Sequence, residues 1–129
     1  MSTLTIVGLG PGSLDLMSVQ TLQTLQRAPR VLLRTARHPA VAAFPQHGIH
    51  FTACDDLYEH HGTFEEVYRA IVARVLGAAA EGDVVYGVPG DPLVAERTVQ
   101  LLLHAAAARP ALTVAVQPAL GAINLMLAR

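Results

Sequence analysis

Val84-Val85-Tyr86-Gly87-Val88-Pro89-Gly90-Asp91-Pro92 is the stretch whose reading decides the fold. Five residues of strand-forming character run into a turn of glycine and proline. A helical pattern follows. Val84 to Val88 therefore reads as a buried strand, with Gly90 or Asp91 capping the next helix and Pro92 at its first position. In open α/β sheets ligands bind outside the carboxyl ends of the strands, which is where this turn sits.

The same grammar repeats on both sides of it. Thr3 to Leu9 reads as a first strand and ends in the turn Gly8-Leu9-Gly10-Pro11-Gly12. Asp15 to Arg27 has Met17, Leu22 and Leu25 at near-helical spacing. Val31 to Arg34 reads as strand two. His38 to Gln46 reads as a short helix weakened by Pro39 and Pro45, and Ile49 to Ala53 as strand three. Phe64 to Ala80 is the strongest helix: Phe64, Val67, Tyr68, Ile71, Val72, Val75 and Leu76 mark one face, and Thr63 with Glu66 makes a capping box. After strand four, Val94, Thr98, Leu101, Leu102 and Ala105 are expected as a buried stripe. Leu112 to Val116 reads as strand five, and Gly121 to Ala128 as helical. The expectation is an α/β fold: a three-layer αβα domain over residues 1–129, with a mostly parallel five-stranded sheet.

Composition narrows the function classes. The 129 residues are 52% hydrophobic and 15% charged, with a formal charge of −1, enough for one domain with a real core. No basic run follows a phosphate backbone, so no nucleic-acid partner is expected. No uninterrupted apolar stretch reaches ~18 residues, so no membrane span is expected, and no signal pattern opens the chain. Cys54 is the only cysteine, which excludes an internal disulfide and fits a cytoplasmic protein. It reads as buried filler. All nine basic residues are arginine. The absence of lysine excludes a lysine Schiff base and a Walker phosphate loop within this chain.

The two turns differ in what they can bind. The dinucleotide fingerprint G-x-G-x-x-G would need glycine where Ser13 stands, and Pro11 lacks the N–H a pyrophosphate would use. The first turn therefore argues against phosphate, and a plain strand-to-helix corner is its bland alternative. In the second turn Gly90 permits a close ligand approach, Pro92 fixes the exit, and Asp91 is either a helix cap or a carboxylate for hydroxyl, amino or cationic ligand groups. Asp55, Asp56, Glu59, His60 and His61 form the only dense set of potential metal ligands. They read as a solvated connection rather than a metal site.

Taken together, Gly8-Leu9-Gly10-Pro11-Gly12 and Pro89-Gly90-Asp91-Pro92 resemble the tetrapyrrole methylase family of S-adenosylmethionine-dependent methyltransferases. In these the turns read G-x-G-P-G and G-G-D-P. Pro118-Ala119-Leu120-Gly121-Ala122 aligns with a third family stretch but lacks its hydroxyl residues. Arg34-Thr35-Ala36-Arg37-His38-Pro39, Asp55-Asp56-Leu57-Tyr58-Glu59 and Val88 to Glu96 resemble one subgroup. There the methylase domain precedes a MazG-type nucleoside triphosphate pyrophosphohydrolase. Glu65 and Glu66 lack the further carboxylates that activity needs.

The resemblance implies S-adenosylmethionine as cofactor, contacted by Pro11, Gly90, Asp91, Pro92 and Val94, with Gly121 and Ala122 at the third loop. It implies a small-molecule methyl acceptor, possibly a tetrapyrrole, and methyl transfer by in-line displacement with no assigned acid or base. It also implies that this chain is the amino-terminal half of the fold. Weak or absent transfer by the half alone is then expected. So is homodimer formation through apolar residues such as Ala119, Leu120, Ile123, Leu125, Met126 and Leu127. The rival readings are a non-catalytic binding or dimerisation module serving a pyrophosphohydrolase, and an unrelated nucleotide-binding domain.

Overall fold

A computed structural model describes residues 1–94 and 96–121. Five strands form one sheet: β1 (Ser2–Gly8), β2 (Val31–Leu33), β3 (Thr52–Ala53), β4 (Val84–Val88) and β5 (Leu112–Gln117). Their order is β3-β2-β4-β1-β5, and every strand pairing is parallel. Among the described residues, four α-helices accompany them: α1 (Val19–Arg27), α2 (Asp55–His60), α3 (Phe64–Glu81) and α4 (Arg97–Ala106).

Side-chain alternation along the strands divides the core in two. Leu4 and Ile6 of β1, Leu32 of β2 and Val84, Tyr86 and Val88 of β4 pack on one face, with Val67, Ile71 and Val75 of α3 and Val99 and Leu102 of α4. Val7 of β1, Val31 and Leu33 of β2 and Val85 of β4 point the other way, onto Leu25 of α1 and the buried Val41 and Phe44. This is the period-two consequence of the pleat, and it makes the domain three-layered. It also separates the exits of the two central strands. The chain leaving β1 goes to α1 on one face, and the chain leaving the neighbouring β4 goes to α4 on the other. A crevice opens between such diverging connections.

Several element boundaries differ from the sequence expectation. Leu14–Leu16 is a single 3-10 turn, and α1 begins only after Ser18, whose hydroxyl accepts the Thr21 N–H at 3.0 Å. His38 to Gln46 becomes two 3-10 turns, Pro39–Ala43 and Pro45–His47, because Pro45 has no N–H to continue a helix. β3 shrinks to two residues, although Ile49 is still buried. The expected solvated connection at Asp55 is instead the helix α2. Helix α4 starts at Arg97 with Glu96 as its cap, not at Pro92. Its buried stripe is Thr98, Val99, Leu102 and Ala106, and Val94 is half exposed. The helix expected over residues 121–128 lies outside the described residues, apart from Gly121.

Half of the Thr63 box forms as expected: Thr63 Oγ1 accepts the Glu66 N–H, while Glu66 Oε2 takes the N–H of Gly62, one residue before the cap, each at 3.2 Å. Cys54 is fully buried at the start of α2, and burial pushes its thiol up. No helix among the described residues is long and apolar enough to cross a membrane.

Arg74 of α3 clasps α2 through Asp56, with two hydrogen bonds at 2.8 and 2.7 Å. That bonding holds the Asp56 carboxyl below its ordinary range. A carboxyl depressed in the folded state adds stability above its unfolded value of about 3.9, and the gain disappears as pH falls through the depressed value. Because the pair is solvent-exposed, Asp56→Asn should cost at most about 1 kcal/mol at pH 7. Urea melts of the two proteins should converge towards pH 2. A gap that persists unchanged into acid would show that the clasp is not its source.

Candidate functional site: the paired glycine turns

The turn after β1 and the turn after β4 are stitched together. Gly10 donates its N–H to the Gly90 carbonyl at 3.2 Å, and Gly90 donates back to the Gly10 carbonyl at 3.0 Å, forming an isolated antiparallel bridge. Leu9 N–H is taken by the Val88 carbonyl at 2.8 Å. Gly10 and Gly90 have φ of +79° and +67°, a region that costs other residues roughly 1–2 kcal/mol. Gly8 is needed for a different reason. A Cβ there would lie far inside van der Waals contact distance of the Gly90 carbonyl oxygen, and 2.7 Å from both Pro92 Cδ and Ala119 Cβ. The turn after β4 and the segment after β5 thus converge on the space left by one missing side chain.

Most of the expected site residues lie at or beside this junction. Pro11 is half-buried directly after Gly10, and Gly90 is half of the bridge. Pro92 is buried beside Gly8. Asp91 Oδ1 accepts the Leu93 N–H at 3.0 Å, and its carbonyl accepts the Val94 N–H at 3.2 Å. Asp91 therefore shapes the turn rather than capping α4. Val94 stands half exposed outside it. Gly121 is buried two residues beyond Ala119, while Ala122 lies outside the described residues.

His38 completes the junction and was not singled out for it in the sequence. Its Nδ1 accepts the Ala40 N–H at 3.1 Å, which leaves the proton on Nε2, 2.8 Å from the Gly10 carbonyl. The ring thus pins the first turn to the loop after β2. The adjacent histidine and proline, 28 residues from Gly10, carry no local sign of this contact.

The arrangement restricts the ligand. The N–H groups of Leu9 and Gly10 are spent on β4 and its turn, and Pro11 has none. Leu9, Gly10 and Pro11 therefore offer a phosphate no free N–H group. What remains is small-residue backbone, carbonyl oxygen and the second carboxylate oxygen of Asp91. These suit hydroxyl and amino groups. The potential metal ligands around α2 have other partners. Asp55 is engaged by Thr35 Oγ1 at 2.5 Å and the Ala36 N–H at 2.8 Å, Asp56 by Arg74, and His60 Nδ1 by the Asp56 carbonyl at 2.6 Å. Among the described residues no three His, Cys, Asp or Glu side chains converge on one point.

Gly8→Ala should destabilise the fold by about 1–3 kcal/mol through overpacking. Gly77→Ala, in the middle of α3 with open space at its Cβ, should stabilise it by roughly 0.5–1 kcal/mol. Chemical denaturation of both variants checks the contrast, and equal effects would contradict the close approach at Gly8.

Residues 3–129 match the family described as tetrapyrrole (corrin/porphyrin) methylases. The Bacillus subtilis (strain 168) protein YabN is 41% identical over 99 residues, 77% of this chain and 20% of that protein. Among solved structures, uroporphyrin-III-C-methyltransferase from Thermus thermophilus superposes with a TM-score of 0.71 at 25% identity, covering 98% of this chain and 52% of that one. Diphthine synthase shares the fold, with a TM-score of 0.74 at 21% identity over 98% of this chain and 48% of that one. The chain thus spans about half the length of these structures and a fifth of YabN. On the match from residue 3 to residue 129, the chain belongs to the tetrapyrrole methylases, a family of S-adenosylmethionine-dependent methyltransferases.

Proposed function

We propose that this chain forms one wall of a methyltransferase cleft that takes S-adenosylmethionine at the paired glycine turns, with the opposite wall supplied by sequence outside it. The observation that carries this reading is the Gly10–Gly90 bridge. It spends the Gly10 and Gly90 N–H groups on each other, and it holds Asp91 and Pro92 at the edge of a switch-point crevice. A donor without phosphates, bearing ribose hydroxyls and an amino group, fits such a surface. Pro11, Gly90, Asp91, Pro92, Val94, Gly121 and Ala122 would hold it.

When bound, S-adenosylmethionine supplies a methyl group already activated on a sulfonium. The chain's own contribution is therefore alignment and exclusion of water, not proton transfer. Gly8 and Pro92 keep the turn tight. Asp91 fixes its shape through the Leu93 N–H. His38 holds the Gly10 carbonyl. The acceptor is a small molecule, and a tetrapyrrole is one candidate suggested by the family.

A second reading has specific support. Pro89 replaces the first glycine of the family turn, and the third stretch has no hydroxyl residue. These departures suit a domain that binds the donor or dimerises without transferring methyl, beside a MazG-type pyrophosphohydrolase in the same polypeptide.

Calorimetric titration of S-adenosylmethionine and S-adenosylhomocysteine into the full-length protein tests the main reading. Saturable binding is expected, weakened at least tenfold by Asp91→Ala. Asp91→Asn keeps the acceptor for the Leu93 N–H. It should retain affinity if Asp91 only shapes the turn, and lose it if the charge meets the ligand. Tight binding of a dinucleotide or nucleoside triphosphate in place of either compound would sink the proposal.

A further inference from the structure

A second cleft, of about 370 Å³, opens where β2 and β3 give way to their loops, lined by Arg34, Thr35, Arg37, Asp55, Tyr58 and Glu59. It lies on the same carboxyl edge of the sheet as the glycine junction. The loop that carries Arg34 and Arg37 ends at His38, which grips Gly10.

The acids near this cleft are largely committed. Both oxygens of Asp55 are used within the loop, on Thr35 Oγ1 and the Ala36 N–H. Glu96 is buried, and its Oε1 accepts from the Thr98 N–H at 3.2 Å and from Thr98 Oγ1 at 2.6 Å. Thr98 Oγ1 lies 2.8 Å from the Tyr86 hydroxyl in the centre of the sheet. Glu59, exposed on α2, makes no ion pair among the described residues.

The cations are not committed to the same degree. Arg34 is anchored by Glu96 Oε2 at 3.6 Å, longer than a hydrogen bond, and its buried Nε has no hydrogen-bond partner. Burial pushes the Tyr58 hydroxyl up, and the nearby Arg34 guanidinium partly offsets this. The Arg34 side chain keeps 23% exposure at the cleft. Arg37 makes no ion pair among the described residues. A buried polar chain, Tyr86 to Thr98 to Glu96, thus sets one guanidinium at the floor of a cleft with spare donors, and a second stands at its rim. Guanidinium groups so placed are matched to the two oxygens of a carboxylate or phosphate.

We propose that Arg34 and Arg37 form an oxyanion-binding subsite for the methyl acceptor, so that the acceptor carries a carboxylate or phosphate group and is held beside the donor turns. Glu96 acts as a positioning residue, through Arg34. The inference rests on the donor reading above for the word acceptor, but not for the anion site itself.

The test is titration of the full-length protein, followed by calorimetry and by NMR of arginine side chains. The probes are propane-1,2,3-tricarboxylate, inorganic pyrophosphate and, as opposite charge, spermidine. S-adenosylmethionine affinity is measured on the same samples. Saturable binding of the tricarboxylate or of pyrophosphate is expected, and whichever binds identifies the anion. Arg34→Gln should weaken it by roughly ten- to a hundredfold, and Arg37→Gln by less, both leaving S-adenosylmethionine affinity unchanged. Arg34→Lys keeps the charge without the fork and should restore only part of the loss. It also covers the case in which Arg34→Gln fails to fold around the unpaired Glu96. Donor binding with no anion binding, or with anion affinity indifferent to all three variants, would overturn the subsite while leaving the donor reading intact. Preferred binding of spermidine would also overturn it. Anion binding without donor binding would overturn its role as an acceptor site.

Discussion

The two hydrogen bonds between Gly10 and Gly90 are the constraint on which the rest of this molecule's functional surface depends. They exist because three glycines each give up something different. Gly10 and Gly90 supply left-handed backbone, and Gly8 supplies empty space for a neighbouring carbonyl and proline ring. The bridge spends the Gly10 N–H that a phosphate could use and fixes the second turn, which carries Asp91 and Pro92. The sheet topology makes this placement useful, since β1 and β4 are neighbours whose connections leave to opposite faces.

Polar contacts extend that rigidity sideways along the sheet edge. His38 ties the loop after β2 to Gly10. The same loop is tied to α2 through Asp55, and to α4 through Arg34 and Glu96. Glu96 in turn is fixed by Thr98, and Thr98 by Tyr86, whose hydroxyl burial pushes well above its ordinary value. The hydrogen-bonded part of this chain, from Tyr86 through Thr98 to Glu96, is costly to break in a low-dielectric interior. It places the charged cleft and the uncharged junction on one frame. A donor and an acceptor held by the two would therefore keep a set separation, which is most of what transfer from an activated methyl group requires.

The sequence was most legible where one physical signal dominated. Val84 to Val88 is buried on both faces and framed by turn residues, and its predicted bounds match the observed strand. The 3.6-residue pattern and box of Phe64 to Ala80 placed α3 to within one residue. Legibility failed where two local signals competed. Pro92 after Gly90-Asp91 has the form of a helix start, yet Asp91 spends its side chain on Leu93 in a separate turn, and Glu96 caps the helix instead. Asp55 to His61 looked like a polar loop because its helix is only six residues long and is held by Arg74, 18 positions away from Asp56. The glycine turns were visible as motifs. That they bond to each other, and that His38 joins them, depends on contacts across 28 to 80 residues of chain that no local pattern encodes.

The central claim is that the paired turns are the floor of a methyl-donor site. A crystal structure of the full-length protein with S-adenosylhomocysteine bound tests it most directly. The account predicts the ligand against Gly90, Asp91 and the Gly121 segment, with the Gly10–Gly90 bridge intact beneath it. A ligand bound elsewhere on the domain, or a bridge opened to admit a phosphate-bearing compound, would contradict it.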